Sequence, residues 1–245
     1  MDVFTFGKGI KIHISGFGLR IPTRYFKYFP PDYELNNINF INNNVAKGMT
    51  VIDVGAHIGI VSIILSKKVR ESGKVFSFEP TPSTFKLLKK TININNVKAT
   101  VVPVNKAVSA KSGVDSFYVT EIEAHNSNSL SSNNRNYGNE KKIDVELIPI
   151  DDFAKEYNLK KVDFIKIDAE GAEYSVLKGS KEVIDRFHPK IILSLHPASI
   201  KSFGDNLPEI WDFLVSKNYN VIYNNEKINK DLFISQTDLF DVLLT

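Results

Sequence analysis

The amino-acid sequence predicts an α/β protein: a doubly wound, mostly parallel sheet of seven strands, preceded by a small β-hairpin and helix extension. Three observations carry this expectation. Short apolar runs such as Thr50–Val54 and Lys190–Leu195 have the length and content of strands buried on both faces. Stretches with helical spacing alternate with them from residue 50 onward. Turn residues mark the joints, as at Gly55–Gly59.

Residues 1–48 are expected to form the extension and residues 49–245 the main domain. Val3–Phe6 and Ile10–Ile14 alternate apolar and polar residues around Gly7-Lys8-Gly9, a hairpin signature. Arg24-Tyr25-Phe26-Lys27-Tyr28-Phe29, closed by Pro30-Pro31, reads as a strand or turn packing its aromatics on the main domain, or as a wall that stacks on a ligand ring. A helix is predicted from Glu34 to Val45. The main-domain strands are predicted at Thr50–Val54, Lys74–Glu79, Ala99–Val104, Val162–Ile167, Lys190–Leu195, Tyr219–Tyr223 and Phe240–Leu244. Helices are predicted at Ile60–Lys68, Thr84–Ile94, Tyr174–Phe187 and Trp211–Lys217. Glu121–Lys142, rich in Asn and Ser, breaks the rhythm; its length fits a lid or a disordered segment. There is no internal repeat.

Composition bounds the function. In 245 residues, 42% apolar and 24% charged content is that of a globular domain. A net charge of +3 is far from the basic stripe of a dedicated nucleic-acid binder. The absence of cysteine removes disulfides, thiolate zinc sites and cysteine nucleophiles together. The N-terminus lacks a cationic start followed by an apolar run, and no run approaches the roughly 20 residues of a membrane span, so a cytoplasmic protein without such a span is expected.

Ligands of open α/β sheets bind at the carboxyl ends of the strands, so chemistry is sought just after each one. After the first main-domain strand stands Asp53-Val54-Gly55-Ala56-His57-Ile58-Gly59. A nicotinamide fingerprint would need glycine at 55, 57 and 60, and His57 and Ile60 break it. The motif resembles instead the first motif of class I S-adenosylmethionine-dependent methyltransferases, in which Gly55 and Gly59 would let backbone approach the cofactor. Glu79, twenty residues after Gly59, is either an ordinary strand-end acid or an acceptor for both ribose hydroxyls. Asn105, in Asn105-Lys106-Ala107-Val108-Ser109, is either a turn residue or a partner for an adenine edge. Asp168, Glu170 and Glu173 place three carboxylates within six residues after an apolar strand, which calls for a cation or proton donor beside them.

VIDVGAHIG, FEP, NKAVS, FIKIDAEGAEYSVLKGS and IILSLHP, in this order from Thr50 to Pro197, resemble the FkbM family of methyltransferases. The resemblance implies a Rossmann-like fold and S-adenosylmethionine as cofactor. It implies that Asp53, Gly55, Ala56, His57, Gly59, Glu79, Asn105, Ala107 and Asp168 lie at the cofactor. Asp168 and Glu170 would lie at the active centre, with His196 of Leu195-His196-Pro197 facing them. Position 57 departs from the family, which more often has Asn there; either side chain can hydrogen-bond near cofactor or acceptor. His13, His125 and His188 read as surface residues. No histidine spacing points to zinc and no metal is expected, the alternative being a hard cation on Asp168, Glu170 and Glu173.

The expected activity is O-methylation of a hydroxyl on a sugar, glycan or glycosylated metabolite, with Asp168, Glu170 or His196 taking the proton. Nucleic-acid methylation, a nicotinamide-dependent oxidoreductase and a non-catalytic cofactor-binding module are the competing readings. The acceptor is expected to be a small molecule or carbohydrate.

Overall fold

A computed structural model describes residues 7–120 and 140–245 of the chain. β1 (Ile10–Ile14) pairs antiparallel with β2 (Phe17–Ile21). Ser15 and Gly16 make the two-residue turn with φ of 45° and 85°, the geometry that matches strand twist. The partner expected for Ile10–Ile14, Val3–Phe6, lies outside the described residues. Thr23–Tyr28 is a 3-10 helix rather than a strand, and α1 spans Leu35–Asn44.

The chain then runs through β3 (Thr50–Val54), α2 (Ile60–Val69), β4 (Lys74–Phe78), α3 (Pro82–Ile94) and β5 (Val101–Val104). Next come β6 (Ala107–Val108), β7 (Gly113–Thr120), β8 (Glu140–Ile148) and α4 (Ile150–Glu156). The last part holds β9 (Phe164–Asp168), α5 (Glu173–Lys178), α6 (Lys181–Phe187), β10 (Lys190–Leu195), α7 (Pro197–Ser202) and α8 (Leu207–Ser216). It ends with β11 (Val221–Tyr223), β12 (Glu226–Lys227), α9 (Lys230–Ile234) and β13 (Phe240–Leu244).

The main sheet has eight strands in the order β12-β11-β13-β10-β9-β3-β4-β5, and it is mixed. The expectation of seven strands is corrected by the short β12, which pairs with β11. β5, β4, β3, β9 and β10 are parallel, whereas β13 inserts antiparallel between β10 and β11. From β3 the chain winds outward to β5, then crosses back to β9, so the switch point lies between β3 and β9.

Alternation along the buried strands divides the core into two layers. Val51, Val75, Phe164 and Ile192 face α1, α2, α3 and the N-terminal hairpin. Ile52, Phe76, Ile165 and Ile191 face α4, α5, α6 and α8. The same period puts Asp53, Lys166 and Asp168 on the first of these faces, and Asp53 is opposite Lys166 in the ladder.

Several expectations are corrected. Tyr174–Phe187 is two helices, because the Gly179 carbonyl accepts from the Asp151 amide at 3.0 Å while the Val183 amide turns to the Asp151 side chain; only glycine fits at 179, where a Cβ would overlap the Ser109 carbonyl. Asp151 of α4 caps α6, accepting from the amides of Glu182 (3.0 Å) and Val183 (2.8 Å). α8 begins at Leu207, earlier than expected, because the Asn206 side chain caps it by accepting from the Glu209 amide. β6, β8 and β7 form a separate three-stranded sheet whose inner residues, Ala107, Phe117, Val145 and Leu147, pack together. The end of the expected loop, 140–142, belongs to β8; residues 121–139, with His125, lie outside the described residues. No helix among the described residues is long and apolar enough to cross a membrane.

Candidate active site

A cavity of about 360 Å³ opens along the carboxyl ends of β4, β3, β9 and β10. Of the residues singled out in the sequence, Gly55, Ala56, His57, Glu79, Ala107, Asp168, Glu170 and His196 line it; Asp53, Gly59 and Asn105 do not.

The strand-to-helix turn explains part of this division. A Cβ at Gly55 (φ 75°) would overlap the Asp168 carbonyl oxygen, and one at Gly59 (φ 94°) would come within 2.7 Å of Leu88. Both glycines therefore let protein approach protein: the end of β9 in one case, α3 in the other. Asp53 is fully buried, and its Oδ2 accepts from the Ser62 hydroxyl at 2.6 Å. Asn105 is exposed and donates from Nδ2 to the carbonyls of Glu79 (2.8 Å) and Pro80 (2.9 Å), holding the end of β4. Lys106 and Ala107 take its place on the wall.

Glu79 is buried, and the turn grips it. Its Oε2 accepts from the His57 amide at 3.1 Å and its Oε1 from the Thr81 amide at 2.9 Å. Burial pushes its pKa up to about 7 against the pull of those bonds. His57 itself has a φ of 51°, which turns its amide toward this carboxylate.

The carboxylates after β9 have the cation that their crowding demanded. Lys166, within an otherwise apolar strand, is buried and lies 3.1 Å from Asp168 Oδ2. Burial would lower its pKa, but Asp168, Glu34 and Asp53 hold it well above the ordinary lysine value. Burial would raise Asp168; Lys166 and His196 instead keep it below the usual carboxylate range. His196 Nδ1 is 2.9 Å from Glu173 Oε1, which also accepts from the Gly171 amide at 2.9 Å. Its Nε2 is 3.8 Å from both Asp168 and Glu170. Burial opposes a charged imidazole, yet the Glu173 bond and the three carboxylates push its pKa up to about 9. Glu173 thus turns away from the cavity, and among the described residues the group with cation-binding geometry is Asp168, Glu170 and His196.

The sequence did not single out the other end of the cavity, where Tyr33, Glu34 and Asn37 meet Ser194, Leu239 and Asp241. Tyr33, just past Pro30-Pro31, supplies the aromatic wall. In the stretch before the prolines, Tyr25 and Phe29 are buried, Phe26 and Tyr28 exposed, and none lines the cavity. A lysine inside FIKID was the available sign of Lys166. His13 and His188 are exposed, as expected.

This fold, with acidic strand ends around a switch-point cavity, defines the class: a Rossmann-like α/β protein with a ligand cavity at the strand ends. Residues 53–221 match the family model of the methyltransferase FkbM domain, and the chain belongs to the FkbM methyltransferase family. It is 25% identical over 215 residues to methyltransferase sdnD of Sordaria araneosa, covering 78% of this chain and 81% of that one. It is 31% identical over 144 residues to the hexuronic acid methyltransferase AglP of Haloferax volcanii, covering 59% of this chain and 54% of AglP. The Streptococcus mutans protein SMU.1697c, solved in complex with SAH, shares the fold with a TM-score of 0.51 at 11% identity, over 86% of this chain and 96% of that one.

Proposed function

We propose that the chain transfers a methyl group from S-adenosylmethionine to a hydroxyl of a carbohydrate or glycosylated metabolite. The observation that carries this reading is one cavity with Glu79 at the end of β4 and the Asp168, Glu170 and His196 group beside it at β9 and β10.

The residues fit the cofactor. Glu79 accepts from the His57 amide on Oε2 and from both the amide and the hydroxyl of Thr81, and its carboxylate still has capacity to accept from a ribose hydroxyl. His57, Ala56 and Ala107 would flank it. Asp168, held ionised by Lys166, suits a cationic ligand. When bound, S-adenosylmethionine supplies a methyl carbon activated by a sulfonium.

The protein's own residues supply position and proton transfer. Glu170 Oε takes the acceptor hydroxyl proton; Asp168 is a weak base because Lys166 and His196 hold it below the usual carboxylate range. His196, protonated at neutral pH, holds both carboxylates in place rather than acting as base. The AglP relative supports a sugar acceptor, and the SAH complex of SMU.1697c supports the cofactor. The failed glycine spacing at 57 and 60 weighs against a nicotinamide enzyme. The acidic lining weighs against nucleic acid.

Calorimetry with S-adenosylhomocysteine tests the binding, and label transfer from methyl-labelled S-adenosylmethionine to a panel of sugars and glycosides tests the chemistry. Saturable binding with transfer to a hydroxyl is expected. Absence of binding would overturn the reading.

A further inference from the structure

The end of the cavity remote from Glu79 is built differently from the rest. Asp241 lies on β13 and Glu79 at the end of β4, four strands apart, which is roughly 19 Å at the usual strand spacing. Asp168, Glu170 and His196 lie between them on β9 and β10. The order along the cavity is thus Glu79, then the carboxylate and imidazole group, then a third cluster on α1 and β13.

That third cluster is assembled from distant segments. β13 runs antiparallel to β10, so its first residues reach the edge where the parallel strands end, and Asp241 is registered against Ser194. Glu34 immediately precedes α1 with a φ of 48° and its side chain makes no capping bond, and Asn37 is one turn further on. Asn37 Nδ2 donates to Asp241 Oδ2 at 3.1 Å, fixing α1 to β13. Both α1 side chains keep an acceptor in reserve. Oδ1 of Asn37, a residue 2% exposed, and Oε2 of Glu34 are buried without a hydrogen-bond partner among the described residues. Buried acceptors left this way are costly unless something donates to them.

The charge of the lining is also one-sided. Five acids, Glu34, Glu79, Asp168, Glu170 and Asp241, face three cations, Lys106, Lys166 and His196. All three cations are already paired, Lys106 with Glu146 at 3.2 Å, Lys166 with Asp168 at 3.1 Å and His196 with Glu173 at 2.9 Å. No arginine lines the cavity among the described residues, so nothing offers a carboxylate or phosphate its usual fork.

We propose that Glu34, Asn37 and Asp241 form the acceptor subsite, and that it selects a neutral, hydroxyl-bearing ring and excludes an acidic one. The inference rests on the methyl-transfer reading above and narrows it. Hydroxyl protons satisfy the reserve acceptors on Asn37 and Glu34, whereas a uronate would set its charge against Asp241 and beside a Glu34 carboxyl whose ionisation burial already opposes. In this respect the chain differs from its hexuronic acid methyltransferase relative.

The test compares methyl α-glucoside with methyl glucuronoside, binding to the full chain saturated with S-adenosylhomocysteine, followed by saturation-transfer NMR titration at neutral pH. The glucoside is expected to bind at least about tenfold more tightly, as like-charge rejection predicts. Glu34→Gln and Asp241→Asn should each shrink that preference about threefold or more. Should one variant fail to fold, the other alone decides. Equal or tighter binding of the glucuronoside, saturable binding of neither sugar, or an unchanged preference in the folded variants would overturn the proposal. So would a loss of S-adenosylhomocysteine affinity in them, which would move the cluster to the cofactor's end. Failure of the methyl-transfer reading shows separately, as no S-adenosylhomocysteine binding by the unaltered chain.

Discussion

Nδ1 of His196 lies 2.9 Å from Oε1 of Glu173, a carboxylate with no exposure to solvent. Around this pair the loop after β9 is fastened to the end of β10. With a folded pKa of about 9 against 6.5, the imidazolium stabilises the fold fully below about pH 6.5, and that contribution is lost as pH rises through 9. The pKa difference corresponds to about 3 kcal/mol. Denaturant midpoints at pH 6 and pH 10 should fall by more in the unaltered chain than in His196→Asn. Equal falls would remove His196 from the account. At pH 6 the variant should be less stable by about 3 kcal/mol, since Glu173 is left buried without its partner.

Glu79→Ala should weaken S-adenosylhomocysteine binding by about 1.5–3 kcal/mol, the worth of hydrogen bonds to a charged group. It should also loosen the turn, because the His57 and Thr81 amides lose their acceptor. Calorimetry on Glu79→Ala and Glu79→Gln separates the effects: Gln retains an acceptor for the ribose, and its affinity should fall between the two. Unchanged affinity in the alanine variant would end Glu79's assignment.

Glu170→Gln isolates proton transfer. Turnover should drop by about two orders of magnitude while S-adenosylhomocysteine affinity stays within a few fold. If single-turnover rates stay near those of the unaltered chain, Glu170 has only a structural part.

Lys166→Met removes the cation beneath Asp168 while keeping the side chain's length. Asp53, fully buried, and Asp168, partly open to the cavity, are then left without their compensating charge, and a loss of about 3 kcal/mol is expected. Thermal unfolding measures it. A variant as stable as the parent would mean that the carboxylates are neutralised by some other route.

Gly55→Ala should be among the most damaging small substitutions in the chain. The new methyl group meets the Asp168 carbonyl oxygen, and φ at 75° is itself unfavourable for alanine. Strain of this kind costs about 1–3 kcal/mol before any shift of β9 is counted. Circular-dichroism melts report the stability, and the separation of Asp168 from the turn should show as lost activity even where the variant folds.

The strands were legible because burial on both faces leaves an unmistakable apolar run, as at Lys190–Leu195. Gly55, Ala56, His57, Glu79, Asp168, Glu170 and His196, which line the cavity, stand at or just after the ends of those runs and were found with them, whereas Lys166 and Ser194, inside the runs, were not. Sequence proximity misled elsewhere: Asn105 has the chemistry for an adenine edge but spends its amide on two backbone carbonyls. Glu173 sits among the active-site acids yet faces inward to His196. Glu34, Asn37 and Asp241 were invisible for a different reason. Their meeting depends on β13 running antiparallel beside β10, and nothing local to any of the three residues records it. The broken helix at Gly179 was likewise set by tertiary contacts, with Asp151, that take over its helical hydrogen bond.

The hydrogen bond from Asn37 to Asp241 joins residues 204 positions apart, so at ribosomal speeds roughly 10 to 40 s separate the emergence of its two halves. Through that interval α1 has its own residues and the hairpin to pack on, while the wall it shares with β13 does not yet exist. The nascent chain can therefore complete the half of the cavity around Glu79 long before the opposite half. A protein interrupted between β10 and β13 would keep the former and lack the latter.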